Sequence, residues 1–270
     1  TGVWATTHSQ SDSAYDVALA AQKVKEITPE SVAALNKAIV GMRSKPLTTF
    51  LPKLKKTSKW VIREVIDAGT SDKGDWSGGQ GGIILGLSTL DSELFCTVYV
   101  KSGKFRRTTS SSFDGEAVVG HDGLTVAIFV QGFLAELEHG LKPSLSERVE
   151  MELRGEIFER ELAPIEIYTD SNGLVTKSRN SFNTADVNKR RVEDLQDIRE
   201  SMLENGLRLF HINGLTNPAD ALTKCYHKCI STRALLRTLF ETGKYIPDLS
   251  NVFLGKKEKS FKKKPAKKLT

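Results

Sequence analysis

Asp67, Glu116, Asp170 and Asp220 are the residues of this chain best placed to do chemistry together. Asp67 closes the run WVIREVID, Glu116 follows TTSSSFDG, Asp170 closes IEIYTD, and Asp220 sits in NPADALTK. Each falls at an expected strand end or helix start, where an α/β sheet presents side chains along one edge. Four carboxylates brought together raise one another's pKa, and divalent cations relieve that repulsion. Magnesium takes oxygen ligands and keeps waters and substrate phosphates in its shell. Two such ions roughly 4 Å apart clamp the attacking and leaving oxygens of a phosphodiester displacement. Taken singly, each acid has an ordinary explanation. Asp67 and Asp170 serve as turn formers at strand ends, and Glu116 and Asp220 as acids at helix starts. It is the joint arrangement that points to a metal site.

The elements that must position these acids follow from periodicity. Residues 12–25 and 30–44 read as helices, the second starting at Thr28-Pro29-Glu30 with Val32, Leu35 and Ile39 as its stripe. WVIREVIDAG (60–69) alternates and is rich in Val and Ile, so a strand is expected. TSDKGDWSGGQGG is a Gly/Ser/Asp loop; it lacks the Lys-Ser/Thr of a phosphate-binding loop and precedes a strand. Residues 82–90 and 94–103 are two further strands around the turn Asp91-Ser92-Glu93. A long helix is expected over 113–138, with Val119, Val126, Phe129, Val130, Phe133 and Leu137 on one broad face. Ser111 and Asp114 fit a capping box at its start. The charged stretch before Pro164 is helix-compatible, and a buried strand follows over 165–170. A helix over 187–206 ends on Gly206, a strand covers 207–214, and NPADALTK opens another helix at Pro218. The last helix takes Ser231 as its N-cap. The order from Trp60 is therefore βββ, α, β, α, β, α: a mixed α/β five-stranded sheet with helices on both faces.

Composition adds bounds. With 270 residues, 39% hydrophobic and 27% charged, the chain suits a globular body. The opening TGVWATTHSQ has neither Met nor an apolar leader and reads as a piece of something longer. No run of 18 apolar residues occurs, so no membrane partner is expected. Three cysteines, Cys96, Cys225 and Cys229, make no disulfide framework and suit a reducing compartment. Cys225-Tyr-His227-Lys-Cys229 lacks nearby partner ligands and reads as structural. The net charge of +6 is a property of the end of the chain: residues 256–270 carry +7, leaving −1 for the other 255. Such a lysine tail is expected to be disordered. It could touch phosphates without sequence preference, serve as a nuclear address, or only solubilise.

Taken together, these stretches resemble the ribonuclease H domain of copia-type retrotransposon polyproteins over about residues 1–240. IYTDSNGLV, KRRVEDLQDIRE and LFHINGLTNPADALTK are similar in order and spacing to the closing part of that domain. The family's ADxLTK signature is intact as Ala219-Asp220-Ala221-Leu222-Thr223-Lys224. VIDAG followed by GGQGGIILGL resembles its opening hairpin, and RRTTSSSFDGEAVVG its RSS…AE helix start. GVWATTHSQSDSAYDVALAAQ is similar to the segment after a reverse-transcriptase palm, with Ser9-Gln10-Ser11-Asp12 in place of a TRPD-like turn. The sequence departs from the family pattern in that turn and in Asp114-Gly115-Glu116. The chain has no adjacent Asp-Asp pair, so the polymerase acids are absent.

The resemblance implies a ribonuclease H-like fold over residues 60–245, a helical end of the reverse-transcriptase region over 1–59, and a basic tail over 246–270. It implies hydrolysis of the RNA strand of an RNA–DNA hybrid to 3′-hydroxyl and 5′-phosphate ends. Asp67, Glu116, Asp170 and Asp220 would be the catalytic acids and the ligands of two Mg²⁺ ions, with Mn²⁺ as a substitute. RNA is told from DNA through its 2′-hydroxyls in a shallow minor groove. Backbone groups near Gly69, Ser71 and Ser112 and the side chain of Asn172 are the candidates for that contact. Lys189, Arg190 and Arg191 are the candidates for phosphates. His211 is expected on a strand. The reverse-transcriptase portion of the same polyprotein would be the protein partner, in a cytoplasmic particle or the nucleus. The alternative is a catalytically decayed remnant acting at most as a nucleic-acid-binding module. An unrelated α/β module binding through its lysine tail is a third reading.

Overall fold

In the computed structural model the described residues are 10–22, 28–55, 59–69, 79–105, 107, 109–142, 144–155, 162–179, 189–225 and 228–249. The residues expected to form the TRPD-like turn fall partly outside these, as do most of the Gly/Ser/Asp loop, Ser71 and the lysine tail. Strand β1 (Trp60–Gly69) is the centre of a five-stranded sheet in the order β3-β2-β1-β4-β5. The outer strands are β2 (Gln80–Thr89), β3 (Cys96–Lys104), β4 (Ile165–Thr169) and β5 (Leu207–His211). β1 to β3 form an antiparallel meander, and β1, β4 and β5 run parallel, as a βββ start followed by crossovers requires.

The alternation read in β1 divides the sheet into two cores. Ile62 and Ile66 point to one face and Val65 to the other; across the pair, Ile83 and Leu85 oppose Ile84. The first face is covered by helix α3 (Ser112–His139), through Ala117, Leu124, Ala127 and Leu134, and by α6 (Lys189–Glu204), through Leu195 and Ile198. The second face is covered by α7 (Ile230–Thr242), through Leu236, Leu239 and Phe240. Helices α1 (Ala14–Gln22) and α2 (Pro29–Ser44) precede the sheet. Ala14 and Leu47 belong to the second core, and the ion pairs Asp12–Arg237 (2.6 Å) and Asp16–Arg233 (3.2 Å) tie this N-terminal segment to α7. Helix α4 (Leu145–Leu153) lies between α3 and β4 in the chain.

Several expectations are corrected. SNGLVTKSR, to which the sequence reading assigns no element, holds a helix, α5 (Asn172–Arg179). Leu174 and Val175 pack into the first core, and Ser171 Oγ accepts from the Leu174 N–H at 3.3 Å, so tertiary burial and a side-chain cap outweigh the glycine. NPADALTK opens a short 3₁₀ turn (Pro218–Leu222), not an α-helix. Helix α7 begins at Ile230 with Cys229 as its N-cap, so Ser231 lies inside it. The face expected on α3 is only partly buried. Phe129, Phe133 and Leu137 are exposed, and small residues, Ala117 and Ala127, face the sheet because the helix lies close to it. On α2, Val32 and Leu35 are exposed and Ala38 is the buried position. Helix α3 is also long and apolar enough to cross a membrane, with half of its apolar window buried.

A candidate carboxylate active site

Two backbone facts bring the first pair of acids together. β1 and β4 are parallel neighbours with Val65 beside Tyr168. Asp67 and Asp170 each lie two residues further on, so they stand side by side at the same end of the sheet. Glu116 arrives from the first turns of α3, whose start is fixed by Ser111: its Oγ accepts from the Asp114 N–H at 3.1 Å. Asp114 accepts in turn from the Ser110 N–H at 3.0 Å and from the Ser110 hydroxyl, so it serves the cap. Carboxylate oxygens of Asp67, Glu116 and Asp170 all lie within 4.8 Å of one another.

Asp220 reaches the same end on the 3₁₀ turn. Asn217 is completely buried and joins that turn to β1 in two directions. Its Nδ2 donates to the Ile66 carbonyl at 3.0 Å, and its Oδ1 accepts from the Ala219 N–H at 3.0 Å. The turn thus sits against the residue preceding Asp67. This close approach needs glycine on the strands: a Cβ on Gly69 would lie 2.7 Å from the Thr223 carbonyl, and one on Gly82 2.8 Å from that of Ala219. Both oxygens of Asp220 are held by the chain, Oδ1 by Lys224 Nζ and Oδ2 by Thr232 Oγ1 at 2.9 Å.

The electrostatics are those of crowded acids. Burial, and next the charge of Asp170, push Asp67 up to about 7, against the opposing pull of Lys224 and of the Thr223 hydroxyl that donates to it. Burial first, then Asp67 and Asp170, hold Glu116 well above the ordinary range, although the Ala68 N–H and the Thr169 hydroxyl (3.4 Å) act the other way. Asp170 is also raised, chiefly by burial. His211 ends β5 and meets the Asp170 backbone carbonyl through Nε2 at 3.1 Å. Burial works against the Lys224 ammonium, but Asp67, Asp220 and Asp170 outweigh it and raise its pKa. An arrangement of this kind lowers its energy by taking up positive charge. Hard oxygen donors at this spacing fit magnesium or manganese.

The expected contact residues are not placed alike. Gly69 ends β1 against Thr223, and Ser112 and Asn172 are exposed at the starts of α3 and α5. Lys189 is exposed at the start of α6, whereas Ser71 and the side chain of Arg190 lie outside the described residues. Arg191 is a correction. Its side chain is 1% exposed and bonds Asp194 at 2.6 Å, so it braces the inner face of α6 and presents nothing to a phosphate. Asn217, Thr223 and Thr232 are organisers that acid-centred reading of the sequence misses. For Asn217 a signal exists, since Asn before Pro marks an N-cap.

No protein-family profile matches the sequence, and no curated protein matches it closely. Solved structures give weak likenesses. LC11-RNase H1, isolated from compost by a metagenomic approach, is 16% identical with a TM-score of 0.37, covering 62% of this chain and 94% of that one. The LC11-RNase H1 structure in complex with RNA/DNA hybrid is 16% identical with a TM-score of 0.34, covering 60% and 93%. The prototype foamy virus protease-reverse transcriptase is 12% identical with a TM-score of 0.32, covering 82% of this chain and 28% of that one. At these scores the site stands on its own carboxylates.

Proposed function

We propose that this chain is a metal-dependent endonuclease that hydrolyses the RNA strand of RNA–DNA hybrids, and that it is the ribonuclease H part of a copia-type retrotransposon Pol polyprotein. The observation that supports this most is the meeting of three carboxylates from β1, α3 and the end of β4, with Asp220 near enough for its charge to act on Asp67 and Asp170. Asp67, Glu116 and Asp170 would hold one divalent cation, Mg²⁺ or Mn²⁺, and Asp220 would share in a second. Bound there, the ions supply an activated water and stabilise the leaving 3′-oxygen.

The chain's own residues do the rest. Thr223, Thr169 and the Ala68 N–H fix the carboxylate oxygens, so the site is organised before substrate arrives. Exposed Ser112 and Asn172 flank the acids on two helix starts, where they would meet 2′-hydroxyls, and Lys189 would meet a phosphate. A reverse-transcriptase portion of the same polyprotein is the proposed protein partner, in a cytoplasmic particle or the nucleus.

The test is cleavage of a labelled RNA–DNA hybrid with Mg²⁺ or Mn²⁺, wild type against Asp170→Asn. Loss of an ion-holding carboxylate should lower the rate at least about a hundredfold, as removal of several kcal/mol of transition-state stabilisation implies. Equal rates in the two proteins, or cleavage that survives chelation, would overturn the proposal.

A further inference from the structure

The acid cluster contains a cation of its own. Lys224 follows the 3₁₀ turn and folds back so that Nζ donates to Asp220 Oδ1. Thr232 Oγ1 takes Oδ2 at 2.9 Å, so the chain itself occupies both oxygens. The group of oxygens within 4.8 Å comprises Asp67, Glu116 and Asp170, without Asp220. The Lys224 charge also bears on Asp67 and Asp170. Its side chain is 38% exposed against 9% for Asp220, and the ammonium sits on a flexible four-carbon stem.

We propose that Lys224 is a positioning residue that stands in for a cation at Asp220 and thereby sets the affinity of the second metal position. The proposal rests on the metal-dependent reading and refines it. A first ion enters among Asp67, Glu116 and Asp170 without displacing any protein group from Asp220. A second must take Asp220 Oδ1 from the ammonium. The two positions therefore fill in order, and the lysine keeps the second open until the first is neutralised or substrate phosphate draws the ammonium off.

The experiment is a calorimetric titration of the full chain with Mn²⁺ alone. It compares wild type with Lys224→Gln, which keeps a donor without the charge, and Lys224→Arg, which keeps the charge. A neighbouring charge at this range is worth about one to three pKa units. The second Mn²⁺ should therefore bind about tenfold or more tightly in Lys224→Gln, and Lys224→Arg should titrate like wild type. Without metal, Lys224→Gln should melt below wild type, and Mn²⁺ should restore the loss. Superimposable titrations of wild type and Lys224→Gln, with Mn²⁺ bound by both, overturn the Lys224 assignment and leave the metal site standing. Absence of Mn²⁺ binding in all three proteins overturns the metal-dependent reading and this proposal with it. If Lys224→Gln does not fold without metal, refolding across a Mn²⁺ series takes the place of the titration. Recovery at rising Mn²⁺ is then the expected result, and failure to recover at any concentration overturns the proposal.

Discussion

Removing metal should leave a protein that loses stability as pH rises, and Asp67 sets the size of the effect. Its pKa is raised from 3.8 to about 7 in the folded chain. A raised folded-state value means that the folded state holds its proton more tightly than the unfolded chain does. The stabilisation is complete below the unfolded value and is lost as pH climbs through the folded one. A rise of that size corresponds to about 4 kcal/mol, of which about 3 kcal/mol falls between about pH 5 and pH 8. Glu116 and Asp170 are pushed in the same direction, so they extend the window and do not cancel it. Urea unfolding in chelator at several pH values measures the slope. The Asp67→Asn variant should give a flatter curve that lies above wild type at high pH, since Asn keeps the acceptor for Thr223 and drops the charge. Saturating Mg²⁺ should remove most of the wild-type slope. Parallel curves for the two metal-free proteins would refute the account of the cluster as mutually repelling buried acids.

Glu64 tests a second buried acid, one outside the site. It is 0% exposed, burial drives its pKa well up, and neither carboxyl oxygen has a hydrogen-bond partner among the described residues. Glu64→Met should therefore raise the unfolding free energy by about 1–3 kcal/mol in urea titrations, and a loss would show that a partner holds the carboxyl. Asn217→Ala removes the two bonds that seat the Asp220 turn on β1. It should cost about 2 kcal/mol of stability and lower hybrid cleavage under conditions where the variant remains folded; full activity would refute the positioning role.

WVIREVIDAG and GIILGLSTL were sufficient to read the central strands, because a short Val/Ile/Leu-rich run is a local property that a strand buried on both faces requires. Helix α5 was hidden because it is only eight residues long and only the first core rewards Leu174 and Val175 for being helical. The inward turn of Arg191 was hidden for a similar reason: a basic run at a helix start looks the same whether its side chains meet solvent or a buried Asp194.

By itself the sequence offered four candidate acids, Asp67 and Asp170 at expected strand ends and Glu116 and Asp220 at expected helix starts. Strand order decided which of those ends adjoin. The bond from Asn217 to Ile66 joins positions 151 residues apart, and that from Thr223 to Asp67 joins positions 156 apart. Distances of that kind have no trace in local pattern. Only the packed sheet could gather Asp67, Glu116 and Asp170 and set Asp220 aside with Lys224, because charge–charge geometry is a property of the assembled edge and not of any one segment.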